Sequence, residues 1–309
     1  MSALLVFGSA NMDVQTLVVR HPLPGETIKG KSTSYSLGGK GANQAMAASL
    51  SGAKVYFVGA VGKDSFGVEM IENLMKAGID VNGTIRVDMH TGTAFITVDE
   101  KGENSIILSE GANRFLSMDV FYHYFTKLND VSVVLLQNEI PWEATFHAAK
   151  YAYESGVSVW LNPAPIPEQD QLFEILPYID LLIVNEWEAA YATGININDI
   201  GDAKQAALQL ITRGVREVLI TLGEKGSLWI AKDHDGIYTP AKKVNVVDTT
   251  AAGDTFIGIL CTERLRACSM DSALKTASIG AALAITREGA QKSMPSRQEL
   301  TDFIGKLKE

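Results

Sequence analysis

Two carboxylates, Asp248 and Asp254, bracket Thr249, Thr250, Ala251, Ala252 and Gly253. The run VNVV before them reads as a strand, and Phe256, Ile259, Leu260 and Glu263 after them recur at helical intervals. Ala251, Ala252 and Gly253 are therefore expected in the first turn of a helix, where backbone N–H groups lack intrahelical acceptors and the positive end of the dipole points outward. Small side chains let an anion approach those amides, so the stretch reads as an anion hole made of backbone with a carboxylate beside it. Asp254 at such a place stabilises a helix by about 0.3–1 kcal/mol through the dipole alone. Local sequence leaves capping and proton acceptance equally open for it.

Other polar groups are placed in a similar way. The apolar runs ALLVFGSAN, KVYFVGAVG, VSVVLLQNE, VSVWLNPAP, LLIVNEWEA, EVLITLGEKG and VNVVDTTAAGD end in Asn11 and Asp13, Asp64, Glu139, Asn162, Asn185 and Glu188, Thr221 and Asp248. Each alone is an ordinary turn or cap residue. As a series they argue for a site, because the ligand crevice of an open parallel sheet lies at the carboxyl ends of its strands.

The elements that must position these groups are also readable. ANQAMAASLSGA, SFGVEMIENLMKAGI, ATFHAAKYAYESG and DAKQAALQLITRG have helical spacing and end near a glycine that can cap them. Alternating with the apolar runs, they predict a doubly wound, mostly parallel sheet with helices on both faces, a three-layer α/β/α fold. Residues 14–39 and 91–113 break this rhythm with β-branched runs around Pro24-Gly25 and Glu100-Lys101-Gly102-Glu103. They are expected to form a small separate β-sheet, the rest of the α/β unit being residues 1–13, 40–90 and 114–309. Runs such as AFITV are apolar on both alternating faces, so this sheet must fold over a ligand as a lid or meet another subunit.

With 27 Lys+Arg against 36 Asp+Glu the net charge is −9, and the longest basic run is Lys242-Lys243. That removes the electrostatic footprint of a nucleic-acid binder and means that any phosphate must be held locally. Cys261 and Cys268 form no CxxC, and the five histidines show no metal-ligand spacing, so neither a structural zinc nor a disulfide framework is expected. The N-terminal apolar run is too short for a signal peptide, and no run approaches the ~20 residues of a membrane span. A soluble, cytoplasmic protein with no membrane partner is expected. Neither GxxxxGK[ST] nor GxGxxG occurs, which makes a P-loop enzyme or a nicotinamide-dependent oxidoreductase remote.

DTTAAGDTF resembles the C-terminal signature of the ribokinase family of carbohydrate kinases, and GGKGANQA at 38–45 resembles its N-terminal one. GSANMD (8–13), PGET (24–27), GKD (62–64), GAN (111–113), NPAP (162–165), NEWE (185–188), TLGEKG (221–226) and REGAQKSMP (287–295) follow the family's order over essentially the whole chain. The resemblance implies ATP-dependent phosphorylation of the 5-hydroxyl of D-ribose. It assigns Asp254 as the base, with the amides of Ala251, Ala252 and Gly253 around the transferred phosphoryl group. It assigns Asn11, Asp13, Gly39, Lys40, Asn43 and Glu139 to the sugar, and Asn185 and Glu188 to the phosphates and magnesium. Thr221, Gly223 and Gly226 would shape the loop under the nucleotide, with Ser278 standing where some members carry His or Asn beside the adenine. A monovalent cation, usually potassium, would sit among Asp248, Thr250, Ala284, Arg287, Gly289 and Ser293. A homodimer formed through the lid is implied as well. Asn138, beside Glu139, stands where Leu is common in the family.

Two other readings remain at this stage. The same chemistry could serve deoxyribose, a ketohexose or a nucleoside, although Asn11 and Asp13 favour a fully hydroxylated furanose. A non-catalytic sugar or nucleotide sensor would keep the fold but has no use for Asp254 beside an intact AAGD anion hole.

Overall fold

A computed structural model describes residues 2–306. Its strands are β1 (Ala3–Phe7), β2 (Asn11–Leu17), β3 (Ser32–Gly38), β4 (Lys54–Val58), β5 (Ala60–Gly62), β6 (Ile85–Val87), β7 (Gly92–Val98), β8 (Asn104–Ser109), β9 (Val131–Gln137), β10 (Ser158–Asn162), β11 (Leu181–Asn185), β12 (Glu217–Thr221), β13 (Ser227–Ala231) and β14 (His234–Thr239). The helices are α1 (Lys40–Leu50), α2 (Ser65–Lys76), α3 (Met118–Phe125), α4 (Trp142–Glu154), α5 (Gln169–Ile175), α6 (Glu186–Thr193), α7 (Ile200–Thr212), α8 (Ala252–Leu265), α9 (Met270–Ala284) and α10 (Arg297–Lys306).

Eight strands form the central sheet in the order β14-β13-β12-β11-β10-β9-β1-β4. From β4 to β12 all neighbours run parallel, and β13 and β14 add an antiparallel edge. The strands are continuous apolar runs because both faces are covered. One face, with Leu5, Phe7, Leu136 and Leu161, packs against α3 to α7; the other, with Leu4, Val6, Phe57 and Leu135, packs against α1, α2, α8, α9 and α10. The expected three-layer α/β/α fold is the one observed.

β3, β2, β7 and β8 form a separate four-stranded sheet, with β2 and β7 parallel at its centre and antiparallel partners outside. Phe95, Ile106 and Ile107 remain exposed on it. Among the described residues no helix is long and apolar enough to cross a membrane.

One expected strand is absent. Residues 244–248 lie beyond β14, the sheet's edge, and form no ladder; Val246 and Val247 are exposed, and the amides of Val247 and Asp248 donate to the Ile285 carbonyl at the end of α9 (2.8 and 3.3 Å). Alternating Val residues satisfy the strand pattern, but a strand also needs its amides to join a ladder. Here the outer edge of β14 stays unpaired among the described residues and the amides of the segment go to the end of α9 instead.

Candidate active site

Asp254 is the third residue of α8 and is buried. Ala251 is one position earlier than expected: it is the residue before the helix, in the left-handed region at φ 58°. The Ala252 amide donates to the Thr249 carbonyl at 3.2 Å, while the amides of Ala251 and Gly253 have no acceptor among the described residues. The helix entrance thus keeps unpaired donors beside a carboxylate, as the small residues suggested.

That entrance opens into a cavity of about 230 Å3 at the carboxyl ends of β10, β11 and β12, lined by Lys40, Asn162, Asn185, Glu188, Thr221, Thr249 and residues 251–254. A larger hollow of about 330 Å3 lies at the opposite ends of the strands among Ser132, Ser158, Asp180, Glu217 and Arg264. It contains none of the groups singled out by motif.

The N-terminus of α1 brings the second set. Gly39 precedes the helix at φ 87°, and a Cβ on it would lie 2.8 Å from the Asn11 amide nitrogen, so only glycine fits. The turn lets the Lys40 amide donate to Glu139 Oε2 (2.9 Å), which also accepts from Ser9 Oγ (2.6 Å). Asn113 Nδ2 donates to Asn11 Oδ1 (2.7 Å), and the Ala10 amide donates to Asn113 Oδ1 (3.0 Å), tying the end of the small sheet to its beginning. Asn43 Nδ2 and Gln44 Nε2, both from α1, donate to the two oxygens of Asp254 at 3.0 Å each.

The pocket is acidic around one cation. Burial, then the neighbouring Glu139 and Asp254, push the Asp13 carboxyl up to about 7. Burial opposes the charge of Lys40, but Asp254, Glu139 and Glu188 outweigh it and its ammonium titrates above the ordinary lysine value. Burial pushes Glu188 up, against the hydrogen bond from the Asn185 amide and the charge of Lys40.

The NxxE residues have a structural duty that the motif alone did not show. The Glu188 amide donates to Asn185 Oδ1 (2.8 Å) and the Asn185 amide to Glu188 Oε2 (2.9 Å), a reciprocal capping box that starts α6. Asn185 Nδ2 and Glu188 Oε1 make no hydrogen bond among the described residues. Thr221 ends β12 in the cavity wall, whereas Gly223 and Gly226 shape the turn behind it, and Ser278 is buried on α9 without lining the cavity. Asp64 is committed elsewhere: it caps α2 through the Gly67 amide and accepts from the Thr91 amide and hydroxyl at the start of β7.

Asp248 braces two loops. Its Oδ1 accepts from the Thr250 amide and hydroxyl (2.9 and 2.6 Å), and its Oδ2 accepts from the Gly289 amide (2.9 Å). Burial works against its charge, yet those bonds hold it below the usual carboxylate range. Ala284 ends α9, Arg287 pairs with Glu299 (2.5 Å), and Ser293 is buried with its hydroxyl on the Ala290 carbonyl (2.8 Å). No cluster of three His, Cys, Asp or Glu suited to a metal occurs among the described residues. A large monovalent cation there would depend on backbone and hydroxyl oxygens.

Residues 1–297 match the pfkB family carbohydrate kinases over nearly the whole chain. The chain belongs to the pfkB family of carbohydrate kinases. It is 40% identical to a ribokinase of Haemophilus influenzae over 97% of this chain and 98% of that one, and 34% identical to a deoxyribokinase of Salmonella typhi over the same shares. Among solved structures, the ribokinase of Arabidopsis thaliana complexed with ribose and ATP superposes with a TM-score of 0.88 at 32% identity, over 98% of this chain and 99% of that one.

Sequence reasoning about this pfkB kinase missed Ser9, Gln44 and Asn113, which orient Glu139, Asp254 and Asn11. A signal for Gln44 was present: in ANQAMAASL the small apolar residues surround the helix, so its amides are buried and must find partners. Which partners they find depends on long-range packing.

Proposed function

We propose that this pfkB kinase transfers the γ-phosphoryl group of ATP to the 5-hydroxyl of D-ribose, giving D-ribose 5-phosphate. One observation carries the reading: the buried Asp254 carboxylate lies next to unpaired amides at the entrance of α8, in one pocket with Lys40 and within electrostatic reach of Asp13 and Glu139. A primary hydroxyl placed there can pass its proton to Asp254 while the amides of Ala251 and Gly253 and the Lys40 ammonium meet the charge on the transferring phosphoryl oxygens. Asn11, Asp13, Asn43 and Glu139 supply the fixed donors and acceptors that a furanose needs. Asn185, Glu188 and Thr221 border the nucleotide's phosphates, with Gly223, Gly226 and Ser278 further back. Magnesium bound through Glu188 and the phosphates would screen their charge, and potassium between the Asp248–Thr250 and Ala284–Ser293 segments would stiffen the anion hole. The small sheet closes over the sugar and joins two copies as a homodimer, in the cytoplasm.

A second acceptor is favoured by one specific finding, the 34% identity to a deoxyribokinase. The test is ADP formation with ATP, magnesium and potassium, comparing D-ribose, 2-deoxyribose, fructose and adenosine. A site built to bond the 2-hydroxyl should give ribose a kcat/KM at least about tenfold above that of 2-deoxyribose. A preference for 2-deoxyribose would transfer the assignment to that sugar, and the absence of turnover with every one of these acceptors would sink the kinase reading.

A further inference from the structure

Asp254 is held by a directional chain of buried carboxamides, and the chain extends well past the residues that would touch sugar. Gln44 Nε2 donates both to Asp254 Oδ1 (3.0 Å) and to Asn162 Oδ1 (3.1 Å). Gln44 Oε1 accepts from Gln137 Nε2 (2.7 Å), and Asn162 Nδ2 donates to the Ile183 carbonyl (3.0 Å). On the other oxygen, Asn43 Nδ2 donates to Asp254 Oδ2, Asn43 Oδ1 accepts from Gln291 Nε2 (3.1 Å), and Gln291 Oε1 accepts from Asn73 Nδ2 (2.7 Å). Asn43, Gln44, Gln137, Asn162 and Gln291 are all buried.

The chain has a sense. Rotating the Gln44 amide would set its oxygen against both the Asp254 carboxylate and Asn162 Oδ1. Rotating Gln137 would set two carbonyl oxygens together, and Gln137 instead leaves its own Oε1 buried without a partner. An orphaned acceptor is costly, so its retention points to a requirement for an N–H facing Gln44. Each amide's orientation dictates the next, ending in one donor on each oxygen of Asp254.

From this geometry we infer that Gln44 is a positioning residue for the phosphoryl-transfer step: with Gln137 behind it, it fixes the Asp254 carboxylate so that one lone pair faces the incoming hydroxyl. The inference rests on Asp254 being the base. Gln44 adds no charge and lies behind Asp254, so its removal should act on turnover and not on sugar affinity. A displaced base of about 1 Å costs up to about 100-fold.

The test begins with Gln44→Met, similar in length and unable to donate. We expect kcat to fall about 10- to 100-fold with the sugar KM within about threefold. Gln44→Glu supplies the readout that a merely structural role would not move. A second carboxyl against Asp254 cannot ionise freely, so the acid limb of the kcat profile should move up by about one pH unit or more. The other charged groups facing Asp254, namely Lys40 from α1, Asp13 from β2 and Glu139 after β9, with Glu188 of α6 beyond Lys40, are the same in both proteins. A kcat for Gln44→Met within twofold of wild type, a loss confined to KM, or an unmoved acid limb in Gln44→Glu would each overturn the inference. Should Gln44→Met not fold, Gln137→Met, which removes the N–H that sets the Gln44 amide, is judged by the same kcat and KM criteria. Asp254→Asn separates the two claims. A folded Asp254→Asn with near-normal turnover removes the base itself, whereas an inactive Asp254→Asn beside a normal Gln44→Met removes only the role of Gln44.

Discussion

At Asp13 the pocket makes a negative charge costly, since burial, Glu139 and Asp254 together push its carboxyl up to about 7. The sign follows from linkage. A carboxyl whose folded pKa lies above its unfolded value contributes stability that is full at acid pH and lost as the pH rises from the ordinary carboxylate range through about 7. A sugar hydroxyl donating to Asp13 rewards the ionised form and draws the pKa down again. Sugar binding should therefore release a proton below pH 7, and the sugar KM should fall as the pH rises toward 7 and then level. Calorimetry at pH 6 in two buffers of different ionisation enthalpy measures that proton, and Asp13→Asn should abolish it. A KM independent of pH between 5.5 and 8 would show that Asp13 is already ionised without sugar. Asp13 and Glu139 were legible as polar ends of apolar runs, but their mutual influence was not, because it depends on the small sheet folding back over the end of β9.

Among the elements, α1 and α8 decide whether the donors reach Asp254. Gly258 sits one turn after Asp254, and a Cβ there would lie 2.6 Å from Ala47 Cβ and from the Gln44 carbonyl oxygen, so the two helices touch backbone to backbone. Thr262 Oγ1 reinforces the contact by donating to the Ala48 carbonyl (3.0 Å). Gly258→Ala must push α1 away and take Asn43 and Gln44 with it. Overpacking of this kind costs about 1–3 kcal/mol, and the displacement should lower kcat by about 10-fold or more. Thermal unfolding together with kcat checks both; a variant with unchanged Tm and turnover would mean that the helices part without disturbing Asp254. The helices themselves were legible from period 3.6, as were the parallel strands from their apolar runs and glycine ends. The contact between α1 and α8 was not, since about 200 residues separate them and neither pattern names its partner. Residues 244–248 show the converse failure, where a convincing strand pattern joined no ladder and its amides went to Ile285.

For the molecule as a whole, the small sheet presents apolar side chains that the rest of the chain does not cover. Cross-strand register sets Tyr35, Val14, Phe95 and Ile107 in one row on one face, and Ile96 and Ile106 side by side on the other. Ile107 is 69% exposed and Ile106 52% exposed, on a strand whose outer edge has no partner among the described residues. A sheet of four strands with two apolar faces is a poor lid for one site alone, and a second copy crossing it would cover both the apolar rows and the open edge. A dimer is thus expected at micromolar concentration by sedimentation velocity. Ile106→Glu combined with Ile107→Glu, one on each face, should yield a folded monomer with a raised sugar KM, because the lid would lose its support. A wild-type protein that sediments as a monomer, or a double variant that remains dimeric, would place the interface elsewhere and leave the small sheet as a lid only.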